Sequence, residues 1–180
     1  LDLVSICTSN DQHYPAAMAV IAKGLDIYCE KPLALTVAQA REMTEAASAR
    51  GLRTGVNFSH RRTPAARLAK EIVDTGALGD LYYVSAVYAV GGTDYANKTG
   101  SWRNQIEKAG YGGLGDMGAH IIDMMRWWLK AEVTDVTGQL TIFVPERKSV
   151  YDGSPMKVTS EDQGMILVKW SNGAQGYFCG

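Results

Sequence analysis

The sequence has no run of lysines or arginines. Its 18 basic residues are scattered among 19 acidic ones, for a net charge of -1 over 180 residues. Without a basic stripe to neutralise phosphates, no nucleic-acid or polyanion partner is expected. No apolar stretch approaches the roughly 20 residues that a membrane helix needs, so no membrane span is expected. Cysteine is scarce and odd in number. Cys7, Cys29 and Cys179 each lie in an apolar, strand-like run, with no spacing suited to zinc. They read as reduced core cysteines of a cytoplasmic protein, and no metal site is predicted. A signal peptide and an initiating methionine are also lacking. Leu1 already opens a strand-like run and Gly180 closes another, which reads as a piece of a longer chain.

What is present divides by periodicity. Residues 3–8 (LVSICT) read as a buried strand, broken by Ser9, Asn10 and Asp11. Residues 14–24 read as a helix ended by Gly24, and 26–30 as a second strand stopped at Lys31-Pro32. Thr36 opens a helix to Arg50, with Gln39 at the capping-box position and Gly51 as its stop. Residues 53–58 make a third strand. Alternating strands and helices at this spacing imply right-handed crossovers and a parallel sheet, an α/β arrangement. Residues 59–64 (SHRRTP) are polar and basic and read as a linker. A helix over 64–75, a tyrosine-bearing strand over 80–90 and a long loop over 91–115 follow. Then come a helix over 112–128 and a strand over 133–144. Residues 161–170 and 173–180 read as a hairpin turning at Ser171-Asn172-Gly173. This second part is α+β with a mostly antiparallel sheet. The predicted division is 1–60 and 61–180.

Two places carry chemistry. In GGLGDMGAHIIDMMRWW (112–128), Asp116 and His120 are four apart and therefore share one helix face. Asp123 and Trp127 extend that stripe, while Met117, Ile121, Met124 and Trp128 line an adjacent apolar face. An acid beside an imidazole can form an acid–base device. It can equally be a helix cap beside a buried core histidine. The second place is the set of strand ends. Ligands of open parallel sheets bind beyond the carboxyl ends of the strands. Here those ends carry Thr8-Ser9-Asn10, Glu30-Lys31-Pro32 and Asn57. Lys31 is either a functional cation or one half of a strand-end ion pair. Gly110-Tyr111-Gly112-Gly113-Leu114-Gly115 spells a dinucleotide fingerprint but follows no strand, and Asp116 would repel a pyrophosphate. Its glycines are expected to permit a tight helix start or close approach of backbone to a ligand.

Taken together, four stretches resemble the glucose–fructose oxidoreductase / inositol dehydrogenase / MocA (Gfo/Idh/MocA) family of nicotinamide-dependent sugar and cyclitol dehydrogenases. They are CTSNDQHYPAAMAVIAKGLDIYCEKPLAL with its Glu-Lys-Pro, RRTP at 61–64, Trp102-Arg103, and the Asp-x-Gly-x-His-x-x-Asp of 116–123. The resemblance implies that residues 1–60 are the C-terminal half of a Rossmann domain. Residues 61–180 would then be an incomplete substrate-binding and oligomerisation domain. It implies NAD or NADP as cofactor, with Lys31, Asp116 and His120 as the catalytic group. Thr8, Asn10, His13, Glu30, Lys31 and Arg61 would lie on the cofactor, with Trp102 and Arg103 reaching over from the second domain. Asp123 either orients His120 or is a polar helix residue, and His60 and Arg62 are expected to be solvated. The family's opening strand, glycine-rich turn and helix have no counterpart in the sequence.

The activity implied is oxidation of a secondary alcohol on a sugar or cyclitol. His120 would take the hydroxyl proton with a pKa near neutrality, and Lys31 would hold the developing alkoxide. An NAD-dependent glycoside-cleaving relative and a non-catalytic sugar-binding or regulatory protein are the alternatives. Homodimers or homotetramers through the tyrosine-bearing sheet are also implied, unless those tyrosines fill the core.

Overall fold

A computed structural model describes residues 1–91 and 95–180. Part of the expected 91–115 loop, residues 92–94, lies outside the described residues. Strands β1 (Leu3–Ile6), β2 (Asp26–Cys29) and β3 (Thr54–Val56) pair in parallel in that order. Helices α1 (Asn10–Ala22) and α2 (Val37–Ser48) are the crossovers. Helix α1 starts four residues before the expected Tyr14, because the polar break is itself the first turn. Gln12 N–H donates to the Ser9 carbonyl at 2.9 Å, and the Ser9 hydroxyl donates to Asp11 at 2.6 Å. Gly24, at φ 70°, adopts the left-handed conformation expected of a helix stop. Thr36 caps α2 by accepting from Gln39 N–H at 3.2 Å, but the Gln39 amide oxygen is buried and does not reach back. Only half of the expected capping box forms.

The two helices press Ala17, Ile21, Met43 and Ala47 onto Ile6, Ile27 and Cys29. These spacings of four place each helical pair on one face. The cysteine expectation needs correction at one residue. Cys29 is buried, Cys179 is half-buried, and Cys7 is exposed just beyond the end of β1.

The expected linker is ordered. Ser59–Arg62 forms a single tight helical turn, and Thr63 then caps α3 (Pro64–Asp74), with Pro64 in the first turn. Strand β4 (Tyr83–Val87) is shorter than the expected 80–90. The described part of the 91–115 segment is not a plain loop. It holds helical turns at Tyr95–Asn97 and Trp102–Asn104 and the short helix α4 (Ile106–Ala109). Ser101 and Asn104 cap each other, and the Thr159 hydroxyl accepts from Ile106 N–H at 2.9 Å. Thr159 comes from distant sequence, so no local pattern announced α4.

Helix α5 (Gly113–Leu129) is followed by β5 (Val133–Thr141), β6 (Glu146–Lys148), β7 (Pro155–Lys157), β8 (Gln163–Trp170) and β9 (Gln175–Cys179). The second sheet runs β4-β9-β8-β5, antiparallel except for the parallel β4–β9 pair. Strands β8 and β9 turn at Asn172-Gly173 as expected, with Gly173 at φ 88°. The β6–β7 hairpin was not expected, being two short polar strands. Ile121 and Met125 of α5 pack on Val168, Trp170 and Phe178 of one sheet face. The opposite face carries Tyr83, Val87, Met165 and Leu167, all exposed. Among the described residues no helix is long and apolar enough to cross a membrane.

The start of α5 is fixed by backbone packing. A Cβ on Gly112 would sit 1.7 Å from the Glu161 carbonyl oxygen, and Gly113 N–H donates to that same oxygen at 2.8 Å. The glycine stretch thus serves close approach of the chain to itself. Gly112→Ala should cost about 1–3 kcal/mol through forced backbone movement. Urea unfolding checks this, and an unchanged midpoint would show that the contact yields freely.

Candidate active site

A cavity of about 260 Å³ opens where the carboxyl ends of β1 and β2 face the start of α5. The sheet end contributes Cys7, Thr8, Asn10, Glu30 and Lys31. The second part contributes Val90, Tyr95, Trp102, Arg103, Tyr111, Asp116, Met117, Glu161 and Asp162, among others. Thr8, Asn10, Glu30, Lys31, Trp102, Arg103 and Asp116 therefore meet at one cavity, as the sequence reading required.

The junction is an ion pair. Lys31 Nζ donates to the Asp116 backbone carbonyl at 2.9 Å and to its carboxylate Oδ1. The lysine side chain is only 12 % exposed. Asp116 is not a helix cap: its side chain accepts from Lys31, and Gly112 stands at the cap position. Glu161 serves the helix start instead, its carbonyl taking Gly113 N–H and its carboxylate taking Gly115 N–H at 3.4 Å. A carboxylate there complements the exposed N–H groups and positive end of the helix.

His120 lies one turn further into α5 and is 8 % exposed, with Nδ1 buried and without a partner. It is not on the cavity wall. Its ring stacks on His60 at 3.9 Å between centroids, 18° from parallel, and meets Phe58 edge-on at 6.2 Å. Burial pushes the imidazole pKa down to about 4. His60 and Lys31 push the same way, and Asp116 and Asp123 oppose them. The expected near-neutral value is thus corrected, because desolvation outweighs the two carboxylates. His60 is corrected too: it is half-buried against His120 and Tyr88 rather than solvated. Arg62 is exposed, with its guanidinium 5.6 Å over the Tyr28 ring.

Two residues expected on the cofactor lie off the cavity wall. His13 is fully buried, its ring nitrogens 2.7 Å from the Pro32 carbonyl and 3.2 Å from the Thr8 carbonyl. It braces the two strand ends that carry Thr8 and Lys31. Arg61 makes a two-pronged ion pair with Asp123 at 2.5 and 2.6 Å and lies over the Trp127 ring. Asp123 therefore holds the tight turn that carries His60 rather than orienting His120 directly. Asn10 faces the cavity while its amide donates to the Ala109 carbonyl at 2.8 Å, tying α1 to α4. Glu30 is held by Asn57, which donates to it at 2.7 Å and accepts from the Tyr28 hydroxyl at 2.8 Å.

Sequence reasoning missed Tyr95, Tyr111 and Glu161 as site residues. The Tyr111 hydroxyl is buried without a partner, and burial raises its pKa, helped by Asp116 and Glu161. Only the glycine-rich spelling around Tyr111 hinted at it. Glu161 precedes β8 in a polar loop, and its position depends on the whole second sheet. Among the described residues, no group of three His, Cys, Asp or Glu side chains could hold a metal ion.

Comparison with known proteins gives the arrangement a lineage. Residues 1–58 match an oxidoreductase family described as an NAD-binding Rossmann fold. Residues 66–180 match the GFO/IDH/MocA C-terminal domain. Levoglucosan dehydrogenase of Pseudarthrobacter phenanthrenivorans is 35 % identical over 188 residues, covering 98 % of this chain and 48 % of that protein. Two solved structures superpose closely. An oxidoreductase domain protein from Kribbella flavida has a TM-score of 0.92 at 37 % identity, covering 99 % of this chain and 48 % of that one. A levoglucosan dehydrogenase in complex with NADH and L-sorbose has a TM-score of 0.92 at 34 % identity, with the same shares. The chain spans about half the length of these relatives. With one domain match alone covering residues 66–180, the chain belongs to the Gfo/Idh/MocA family of oxidoreductases.

Proposed function

We propose that this chain carries the nicotinamide end and the substrate pocket of an NAD(P)-dependent dehydrogenase. Its substrate is a secondary alcohol on a sugar or cyclitol. The observation that carries the reading is the Lys31–Asp116 pair at the cavity where the parallel strands end. The cavity suits a polar ligand: Tyr111 has an unmet buried hydroxyl, and Thr8, Asn10 and Glu30 present oxygens at the strand ends. Those three would hold the ribose and carboxamide side of the cofactor. When bound, the nicotinamide supplies the hydride acceptor.

The chain's own residues handle the proton and the charge. Lys31 gives two of its N–H bonds to Asp116, which leaves a third for an alcohol oxygen in the cavity. A fixed ammonium there stabilises the developing alkoxide without having to reorganise. Asp116 keeps that ammonium in place. His120 is the acid–base group. Its low pKa keeps it neutral at physiological pH, and so able to accept a proton. Its unmet Nδ1 supports the role, since a core histidine usually finds a partner for each buried ring nitrogen. Trp102 and Arg103, stacked at 4.4 Å, form the wall over which a sugar ring would lie.

We further assign the open face of the second sheet to self-association as a dimer or tetramer. In β4, β9 and β8, one register row is Ser85, Tyr177 and Leu167, and the next is Val87, Cys179 and Met165. Val87 is 67 % and Leu167 56 % exposed, on a face that no described helix covers. Contiguous apolar surface of this kind marks an interface.

Two outcomes are expected. In the full-length protein, Lys31→Ala and His120→Ala should each lower turnover of polyols by at least about 100-fold. Steady-state kinetics with NAD and NADP checks this, and near-normal turnover in both variants would end the assignment. Leu167→Lys should convert the assembled protein to monomers in light scattering. A parent protein that is already monomeric would defeat the interface reading.

A further inference from the structure

The His60–His120 stack is not used by the chemistry above, and nothing in the family signature calls for it. His60 sits in the tight turn Ser59–Arg62, and that turn is anchored to α5 by the Arg61–Asp123 pair. The anchor fixes where the His60 ring falls. It lies flat on His120 and leans on Tyr88 at 5.5 Å on another side. Phe58, from the same connection, closes His120 edge-on. Charged groups around His120 come from three elements. Asp116 and Asp123 share its helix, Lys31 arrives from the end of β2, and Arg61 belongs to the turn but is satisfied by Asp123.

We propose that His60 is a positioning residue for His120: its stacked ring fixes the plane of that imidazole, and the two rings share the cost of a single proton. Two imidazolium ions with centroids 3.9 Å apart repel strongly, by about 1 kcal/mol even at the dielectric of water. A proton on His60 therefore disfavours one on His120. His60 makes His120 a base that stays neutral into mildly acidic solution. The relevance to catalysis rests on the acid–base role proposed for His120, whereas the stack and its proton coupling do not.

Histidine-labelled NMR separates the two, because the sequence holds only three histidines. In the unmodified chain, ring-to-ring contacts between His60 and His120 should be seen and their titrations should be linked. Replacing His60→Phe keeps an aromatic cover but removes the second proton site. The His120 midpoint should then rise by at least about half a unit. His60→Ala, which also opens the ring to water, should raise it further. An unmoved midpoint in both variants, or no ring-to-ring contact in the unmodified chain, would overturn the proposal. In the full-length protein, the acid limb of kcat/KM should shift upward in step with the NMR midpoint. A shifted midpoint without a shifted limb would leave the stack intact and count against His120 as the base.

Discussion

The site exists because one ammonium crosses from one core to another. Lys31 leaves the first sheet at the end of β2, and its charge lands on the first turn of α5. A lysine this enclosed needs compensation, since an unpaired buried charge costs several kcal/mol. Asp116 supplies it with both a carboxylate and a carbonyl. A hydrogen bond to a charged group contributes roughly 1.5–3 kcal/mol. The braces behind the pair follow from that demand. His13 ties the Pro32 loop to the Thr8 end, and Glu161 and Gly112 fix the start of α5.

Much of this was legible in the residues. Elements with strong periodicity or strong stops were found within a few residues: the three parallel strands, α2, α3, α5 and the Asn172-Gly173 hairpin. Lys31, Asp116, Thr8, Asn10, Glu30, Trp102 and Arg103 were expected at one site and share one cavity, whereas His13, Arg61 and His120, expected with them, do not line it. The misses have a common cause. α4, the helical turns at 95–97 and 102–104 and the β6–β7 hairpin are too short for periodicity to show. They stand on partners such as Thr159, Ser160 and Gly100 that are distant in sequence. His60 was expected to be solvated and Arg61 to lie on the cofactor, because a polar composition cannot reveal that both dock on α5. Cys7 misled for the opposite reason. It belongs to an apolar run, but sits one residue past the end of β1 and on the open side.

His120 shows how position and chemistry pull against each other. An imidazole on the α5 face one turn from Asp116 was expected to form an acid–base pair with it, but that carboxylate is taken by Lys31 and the ring's Nδ1 has no partner. The same face is covered by Phe58 and His60, and burial removes the hydration that a proton on the ring needs. The drop from 6.5 to about 4 corresponds to a penalty on the order of 3 kcal/mol for protonating the ring in place. The two nearby carboxylates reduce this penalty without cancelling it. A group so tuned accepts a proton readily only when something shifts the balance, such as water admitted from the cavity or a negative charge formed beside it.

The two hydrophobic cores never merge. One is built from β1, β2, α1 and α2, the other from α5 and the second sheet. Between them lie polar ties: Lys31 to Asp116, Arg61 to Asp123, Asn10 to the Ala109 carbonyl. Apolar packing is tolerant of small slips, but charged and forked contacts have narrow geometric optima. A junction made of them sets the register between the two cores narrowly. That property suits a cavity whose floor and wall come from different cores. The turn Ser59–Arg62 lies at this junction. It connects the cores through the backbone, carries the Arg61 clamp, and holds the His60 ring over His120. The clamp of Arg61 on Asp123 therefore also fixes where the His60 ring meets the His120 imidazole.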